Sequence, residues 1–305
     1  YTFLNVNQDE DIQITSSDYR TFFRHDGQGP PLWDGALSLP RAILNHFGIS
    51  KGVSMFLASE IPPGTGLGSS SSVAVSVIKA VAVACGLHLS QQDIAELACY
   101  IEIGKLGMPI GKQDQYAAAF GGLNFITFSS DDVKVEPLRV APQARHHLEQ
   151  CLMLFYTGAA RNSASILGEQ SEASAKKDPG VTSALDAVKS MAYEVKDCLE
   201  RGEVDSLGEF LHQNWLQKKR FASGVTNPVI DECYEVALAA GAMGGKLTGA
   251  GGGGFLLLFC QQAHQPAVTV ALESRGLKRM DFHLERGGAR VLLNAALQLP
   301  YELRR

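Results

Sequence analysis

The segment "PPGTGLGSSSSVAVSVIKAVAVACG", Pro62–Gly86, decides how the rest of the chain is read. Gly64, Gly66 and Gly68 open backbone conformations that are closed to residues carrying a Cβ. Ser69–Ser72 follow at once and lead into an apolar run with the small residues of a buried helix, expected over residues 70–85. A helix that begins at these serines has several N–H groups without intrahelical partners, and they point into the glycine turn. The helix dipole adds positive potential at the same place, so the junction is suited to an anion, above all a phosphate. The hydroxyls add donors, and a serine oxygen is a hard ligand of the kind Mg²⁺ takes. The familiar phosphate loops do not fit. No lysine stands in the turn for a Walker A pattern, and Ser69 occupies the last glycine position of G-x-G-x-x-G.

Two further stretches bear on the same chemistry. In "GAGGGGFLLLF", Gly249–Phe259, five glycines fall within six residues, more than turn-making needs. Their entropic cost implies that something packs against bare backbone there, and the apolar run that follows reads as a buried strand. In "IEIGKLGMPIGKQDQYAAAFGG", Glu102 stands near a helix end, and Asp114 follows in a glycine-flanked loop beside Lys112. Two carboxylates and a cation are the means to hold a metal and orient a hydroxyl. Two backbone cradles, a hydroxyl and carboxylate for Mg²⁺, and a second carboxylate for a hydroxyl proton are together the parts phosphoryl transfer uses.

With 305 residues, 45% hydrophobic and 19% charged, the chain is long enough for two domains. Its net charge of −5 gives no reason to expect a nucleic-acid partner. Charged or polar residues interrupt every apolar run before membrane-spanning length, so no membrane partner is expected. The six cysteines are spread without any C-x-x-C pair. They read as reduced core residues, which points to a reducing, cytoplasmic compartment. Strands are expected at 1–6, 12–15, 53–58 and 151–156, and helices at 33–46 and 91–103, the latter capped by Ser90 with Asp93 in its first turn. Residues 163–240 read as mostly helical, followed by strand, glycine loop and strand, a helix at 265–274, and strands near 280–284 and 289–293. This segregation lacks the βαβ rhythm of a doubly wound sheet and indicates an α+β fold. A junction near Thr157–Arg161 divides it into domains 1–157 and 158–305.

"PPGTGLGSSSS" resembles the motif P-x-x-x-G-L-G-S-S-[AS] of the GHMP kinases, and "KLTGAGGGGFLLLF" resembles that family's C-terminal glycine motif. Within the family, "GKQDQYAAAFGGLNFITF" and "GAMGGKLTGAGGGG" look most like the sugar kinases acting on D-glycero-D-manno-heptose 7-phosphate. The resemblance spans roughly Val53 to Leu293. It implies an N-terminal domain like ribosomal protein S5 domain 2, a ferredoxin-like C-terminal domain and a site between them. Carried onto this chain, Pro63, Gly64, Gly66, Leu67, Gly68 and Ser69–Ser72 (Ser69, Ser70, Ser71, Ser72) would wrap the phosphates of ATP. Ser70 or a neighbouring serine would hold Mg²⁺ with Glu102. Asp114, with Lys112, would act on the acceptor hydroxyl. Gly249, Gly251 and Gly252 would support the phosphate loop and the acceptor, while Arg161 and one of Lys218, Lys219 or Arg220 would meet a phosphate on the sugar.

The implied activity is transfer of the ATP γ-phosphate to a sugar hydroxyl, O1 of the heptose 7-phosphate first among them. Another sugar or metabolite acceptor, and an inactive sugar or ATP sensor on the same fold, remain as alternatives. A homodimer is left open. The family's first motif, a strand and loop of P-x-R-x-x-x-x-G-G-x-x-D type, is absent, and Tyr1–Tyr19 look like the strands that follow it, so residues are expected to precede Tyr1.

Overall fold

The computed structural model describes residues 1–7, 10–26, 28, 33–158, 163–295 and 299. They form two compact units, one of residues 1–63, 68–122 and 285–305, the other of residues 64–67 and 123–284. The fold is α+β, as the segregated pattern implies.

The first unit contains β1 (Thr2–Val6), β2 (Ile12–Ser16), β3 (Thr21–His25), α1 (Ser38–His46), β4 (Val53–Leu57), α2 (Ser69–Ala84), α3 (Gln91–Cys99) and α4 (Gln113–Phe120). Its sheet has the order β1-β4-β2-β3, with β4 parallel to β2 and antiparallel to β1. Side chains alternate across a strand, so Ile12, Ile14, Val53, Met55 and Leu57 share one buried face of the two central strands. Ile43 and Leu44 of α1, and Val77, Ile78 and Val81 of α2, are equally buried. At the start of α3, Ser90 and Asp93 form a reciprocal capping box, which satisfies two helix-start N–H groups. The α-helical pattern then ends at Cys99, and Tyr100–Lys105 continue as a π-helix. Sequence periodicity predicts one helix through residue 103; it carries no signal for this wider turn.

The chain returns to this unit at its end. Gly122 donates its N–H to the Glu285 carbonyl at 2.7 Å, and Leu299 donates to Ala84 at 2.7 Å. At Gly121, where φ is +62°, a Cβ would collide with the Gly288 amide. The strand expected near 289–293 does not form. Ala289 instead lies against the end of α4, where its N–H reaches the Ala119 carbonyl.

The second unit contains β5 (Asn124–Phe128), β6 (Val133–Pro137), α5 (Pro142–Cys151), β7 (Leu152–Tyr156), α6 (Ser163–Ala175), α7 (Pro179–Arg201), α8 (Ser206–Lys218), α9 (Pro228–Ala239), β8 (Gly244–Leu247), β9 (Phe255–Phe259), α10 (Gln265–Glu273) and β10 (Lys278–Met280). An antiparallel sheet runs β10-β7-β9-β8, and β5 pairs with β6 alone. The division expected at residue 157 therefore moves to 122/123 and 284/285, because β7 is hydrogen-bonded between β9 and β10 and cannot be parted from them. Strand β9 is an almost continuous buried run, as its sequence implies. Gly244 lets α8 lie close on the sheet, since a Cβ there would collide with the Gly208 carbonyl. Trp215, Phe155, Tyr234, Leu256 and Leu258 form the centre of the core.

All six cysteines are free thiols, five buried and Cys198 half-buried. Among the described residues no helix is long and apolar enough to cross a membrane. Trp215 has no exposed surface. Trp215→Ala is expected to cost about 3–5 kcal/mol, read as a lower midpoint in chemical denaturation.

Candidate active site

The first unit holds the serine run and both carboxylates. Gly68 is the N-cap of α2 in the left-handed conformation, φ +66°, and it has no side chain to cap the helix. The Ser72 N–H is committed to the Gly68 carbonyl at 2.9 Å. Ser72 is thereby removed from the set of amide donors expected for ATP. The amides of Ser69, Ser70 and Ser71 precede the first intrahelical bond, and no side-chain cap engages them, so they are the donors available to an anion.

Glu102 sits on the π-helix with no exposed surface. Ser70 Oγ donates to Glu102 Oε1 at 2.6 Å, and Gln115 Nε2 donates to Oε2 at 2.6 Å. Burial raises the carboxyl above its ordinary range, against the hydrogen bonds from Ser70 and Gln115, which lower it; the nearby Asp114 charge raises it further. The amide oxygen of Gln115, Oε1, is buried without a partner among the described residues. Gln115 is absent from the sequence-based site, since nothing in "KQDQYAA" separates it from an ordinary helix residue.

Asp114 lies in the first turn of α4, half-buried, and its carboxyl is also raised by burial. A Cβ at position 68 would stand 3.2 Å from both Asp114 Cβ and Cγ. The glycine turn thus brings the Asp114 carboxyl against the positive end of α2, a placement that needs a bare backbone at 68. Lys112, the N-cap residue of α4, is exposed. No ion pair joins it to Glu102 or Asp114 among the described residues.

Pro63 also belongs to the first unit, and the second holds the remaining candidates. Gly64 and Gly66 have φ of +75° and +80°, while Thr65 between them is fully buried. A Cβ on Gly254 would collide with the Thr65 carbonyl, so the second glycine run packs on the first loop backbone to backbone. At Gly251 a Cβ would stand 2.6 Å from the Val225 carbonyl oxygen, which itself accepts the Gly252 N–H at 2.7 Å. Gly252 is therefore a structural residue of the loop, with its amide spent. Lys218 is buried, and its Nζ donates to the carbonyls of Leu247 and Gly249 at 2.8 and 2.5 Å. It braces the glycine loop from beneath, a correction to its expected role at the sugar phosphate. Lys219 pairs with Asp231 at 3.4 Å, and Arg220 bonds Gln217 and the Gly180 carbonyl. Arg161 lies outside the described residues.

Residues 36–122 match the GHMP kinases N terminal domain, and residues 195–278 match the GHMP kinases C terminal family. The chain belongs to the GHMP kinases, small-molecule kinases that take their phosphoryl group from ATP. It is 32% identical to the D-glycero-alpha-D-manno-heptose 7-phosphate kinase of Campylobacter jejuni, over 93% of this chain and 85% of that protein. It is 30% identical to a mevalonate kinase of Pyrococcus horikoshii, over 79% of this chain and 69% of that one. A solved D-glycero-D-manno-heptose 1-phosphate kinase from Bacteriodes thetaiotaomicron superposes with a TM-score of 0.72 at 26% identity, covering 94% of this chain and 84% of that chain.

The raised carboxyls have a thermodynamic consequence. The folded chain holds these two protons more tightly than the unfolded chain does. Their contribution to stability is thus fully present below the ordinary values of 4.5 for Glu102 and 3.8 for Asp114, and it is lost as pH rises through the raised folded values. In thermal denaturation without divalent ions, Glu102→Gln is expected to show a shallower loss of stability than the parent from about pH 4 upward.

Proposed function

We propose that the chain transfers the γ-phosphate of ATP to a hydroxyl of a sugar phosphate, with O1 of D-glycero-D-manno-heptose 7-phosphate as the acceptor. The observation that carries this reading is Asp114 set against the Gly68 turn at the start of α2, beside a serine hydroxyl locked to Glu102. An anion held by the amides of Ser69–Ser71 would place its terminal phosphate within the field of the helix dipole. Asp114 receives the proton of the attacking hydroxyl or orients that hydroxyl; a carboxylate raised by burial is a stronger base than a solvated one. The new bond forms between the hydroxyl oxygen and phosphorus as the bond to ADP breaks.

The residues present also fit Mg²⁺. Glu102 and Ser70 offer oxygen only, as a hard cation requires. Because Ser70 Oγ spends its proton on Glu102, its lone pairs are left for a cation. When bound, the ion would neutralise charge on the β- and γ-phosphates. The names of the heptose kinases support a sugar phosphate acceptor, but one names the 7-phosphate and the other the 1-phosphate. The similarity to a mevalonate kinase supports a second reading with another alcohol as acceptor.

ADP release, measured over heptose 7-phosphate, heptose 1-phosphate, unphosphorylated sugars and mevalonate, separates these. Turnover with the heptose 7-phosphate alone supports the proposal, turnover with another acceptor reassigns the substrate, and ATP binding without any turnover indicates a sensor. Asp114→Asn is expected to lower kcat by roughly 10²–10⁴-fold while leaving ATP affinity intact. Near-normal turnover in that variant removes Asp114 from the chemistry.

A further inference from the structure

Away from these residues, the second unit gathers three side chains of different chemistry at one point. His147 and Cys151 stand one turn apart on α5, and Asp205 immediately precedes α8. One ligand atom from each lies within 4.8 Å of the others. His147 Nε2 is 2.8 Å from Asp205 Oδ1, and Cys151 Sγ is 3.7 and 3.9 Å from the two ring nitrogens. Asp205 occupies the N-cap position of α8 but makes no capping bond; its carboxylate is turned to the imidazole instead. The His147 and Asp205 side chains are 46% and 53% exposed, whereas Cys151 is buried at the end of its helix. An exposed His–Asp pair contributes little by itself, and it gives no reason for a thiol to complete the triangle.

We propose that His147, Cys151 and Asp205 form a binding site for a borderline divalent cation of the zinc class, with water as the fourth ligand on the exposed side. Zinc takes imidazole nitrogen, thiolate sulfur and carboxylate oxygen at about 2.0, 2.3 and 2.0 Å, so neighbouring ligands in a tetrahedron stand roughly 3.3–3.6 Å apart. The observed 2.8 and 3.9 Å bracket that separation, and because Sγ now stands nearly equidistant from the two ring nitrogens, the shell closes when the imidazole turns its Nε2 toward the thiolate. On binding, the thiol proton passes to solvent and the imidazole gives up its hydrogen bond to the carboxylate. Mg²⁺ does not compete, because it demands an octahedral oxygen shell. The site is thus chemically independent of the one at Glu102. It ties α5 to the start of α8, whose far end carries Lys218 and the brace of the glycine loop.

Cobalt(II) is the probe, added to the reduced, chelator-stripped full chain. One equivalent is expected to produce a thiolate-to-cobalt charge-transfer band together with the intense visible bands of four-coordinate cobalt. Equimolar Zn²⁺ should bleach both, and millimolar Mg²⁺ should leave them unchanged. Cys151→Ser should abolish the charge-transfer band, while Cys198→Ser, at the half-buried thiol of α7, should retain it. Since Cys151 is a core residue and its replacement can disturb folding, Asp205→Asn supplies an independent arm at an exposed position. It should weaken cobalt binding by about tenfold or more. Absence of a thiolate band in the parent chain, or a band that survives both Cys151→Ser and Asp205→Asn, overturns the site.

Discussion

A carboxylate with no exposed surface organises the first unit. Glu102 has one oxygen bonded to Ser70 at the start of α2 and the other bonded to Gln115 in α4, so three helical segments are fixed to one another through a single charge. Hydrogen bonds to a charged group contribute roughly 1.5–3 kcal/mol each, and leaving such a group buried without them costs more. The π-helix is part of this arrangement. By widening the turn at Tyr100–Lys105 it departs from the course α3 would otherwise follow, and Glu102 lies within that turn. Positions of Ser70, Gln115 and the Gly68 turn are then mutually dependent, and Asp114 is held where Gly68 leaves room.

The second unit solves a different problem, which is to bring backbone close to backbone. Gly254 meets the Thr65 carbonyl, Gly251 meets Val225 and Gly244 meets Gly208, each at a separation no Cβ permits. This is why the run between Gly249 and Gly254 is so rich in glycine. The left-handed conformations at Gly249, Gly252 and Gly254 add a second reason to use the residue. Ser223 links the same loop outward: Glu169 of α6 accepts both its N–H and its hydroxyl, and Val225, two residues on, receives the Gly252 amide.

Much of this was legible in the sequence because it depends on short-range rules. Three glycines before a serine run announce a left-handed turn and a helix start, and Ser90 with Asp93 announces a cap; both rest on local backbone chemistry. The apolar run of β9 is legible for the same reason. What could not be read was set by long-range approach. Gln115 becomes a site residue only because the π-turn delivers Glu102 to it, and a π-turn leaves no periodic mark. Lys218 reads as a solvated or phosphate-facing cation within "NWLQKKR", yet it is buried against two carbonyls brought by β8 and its loop. The division between units was misplaced because β7 precedes a long helical segment in sequence, while its hydrogen-bonding partners lie beyond that segment, about a hundred residues downstream.

The Lys218 brace also determines what the glycine loop can offer a ligand. A peptide unit is planar and trans, so its carbonyl and the next residue's N–H point in opposite directions. With the Leu247 and Gly249 carbonyls drawn to the ammonium, the N–H groups of Thr248 and Ala250 face away from it. Thr248 spends its N–H on Phe255, and Gly252 spends its own on Val225. The donor directed outward by the brace is therefore Ala250, one residue inside the run and the only member of it with a side chain. Lys218 thus acts on this loop through the peptide dipoles. Replacing it with an apolar residue would leave the buried Leu247 carbonyl unmatched and release the constraint that orients the Ala250 amide, so its role is one of position rather than contact.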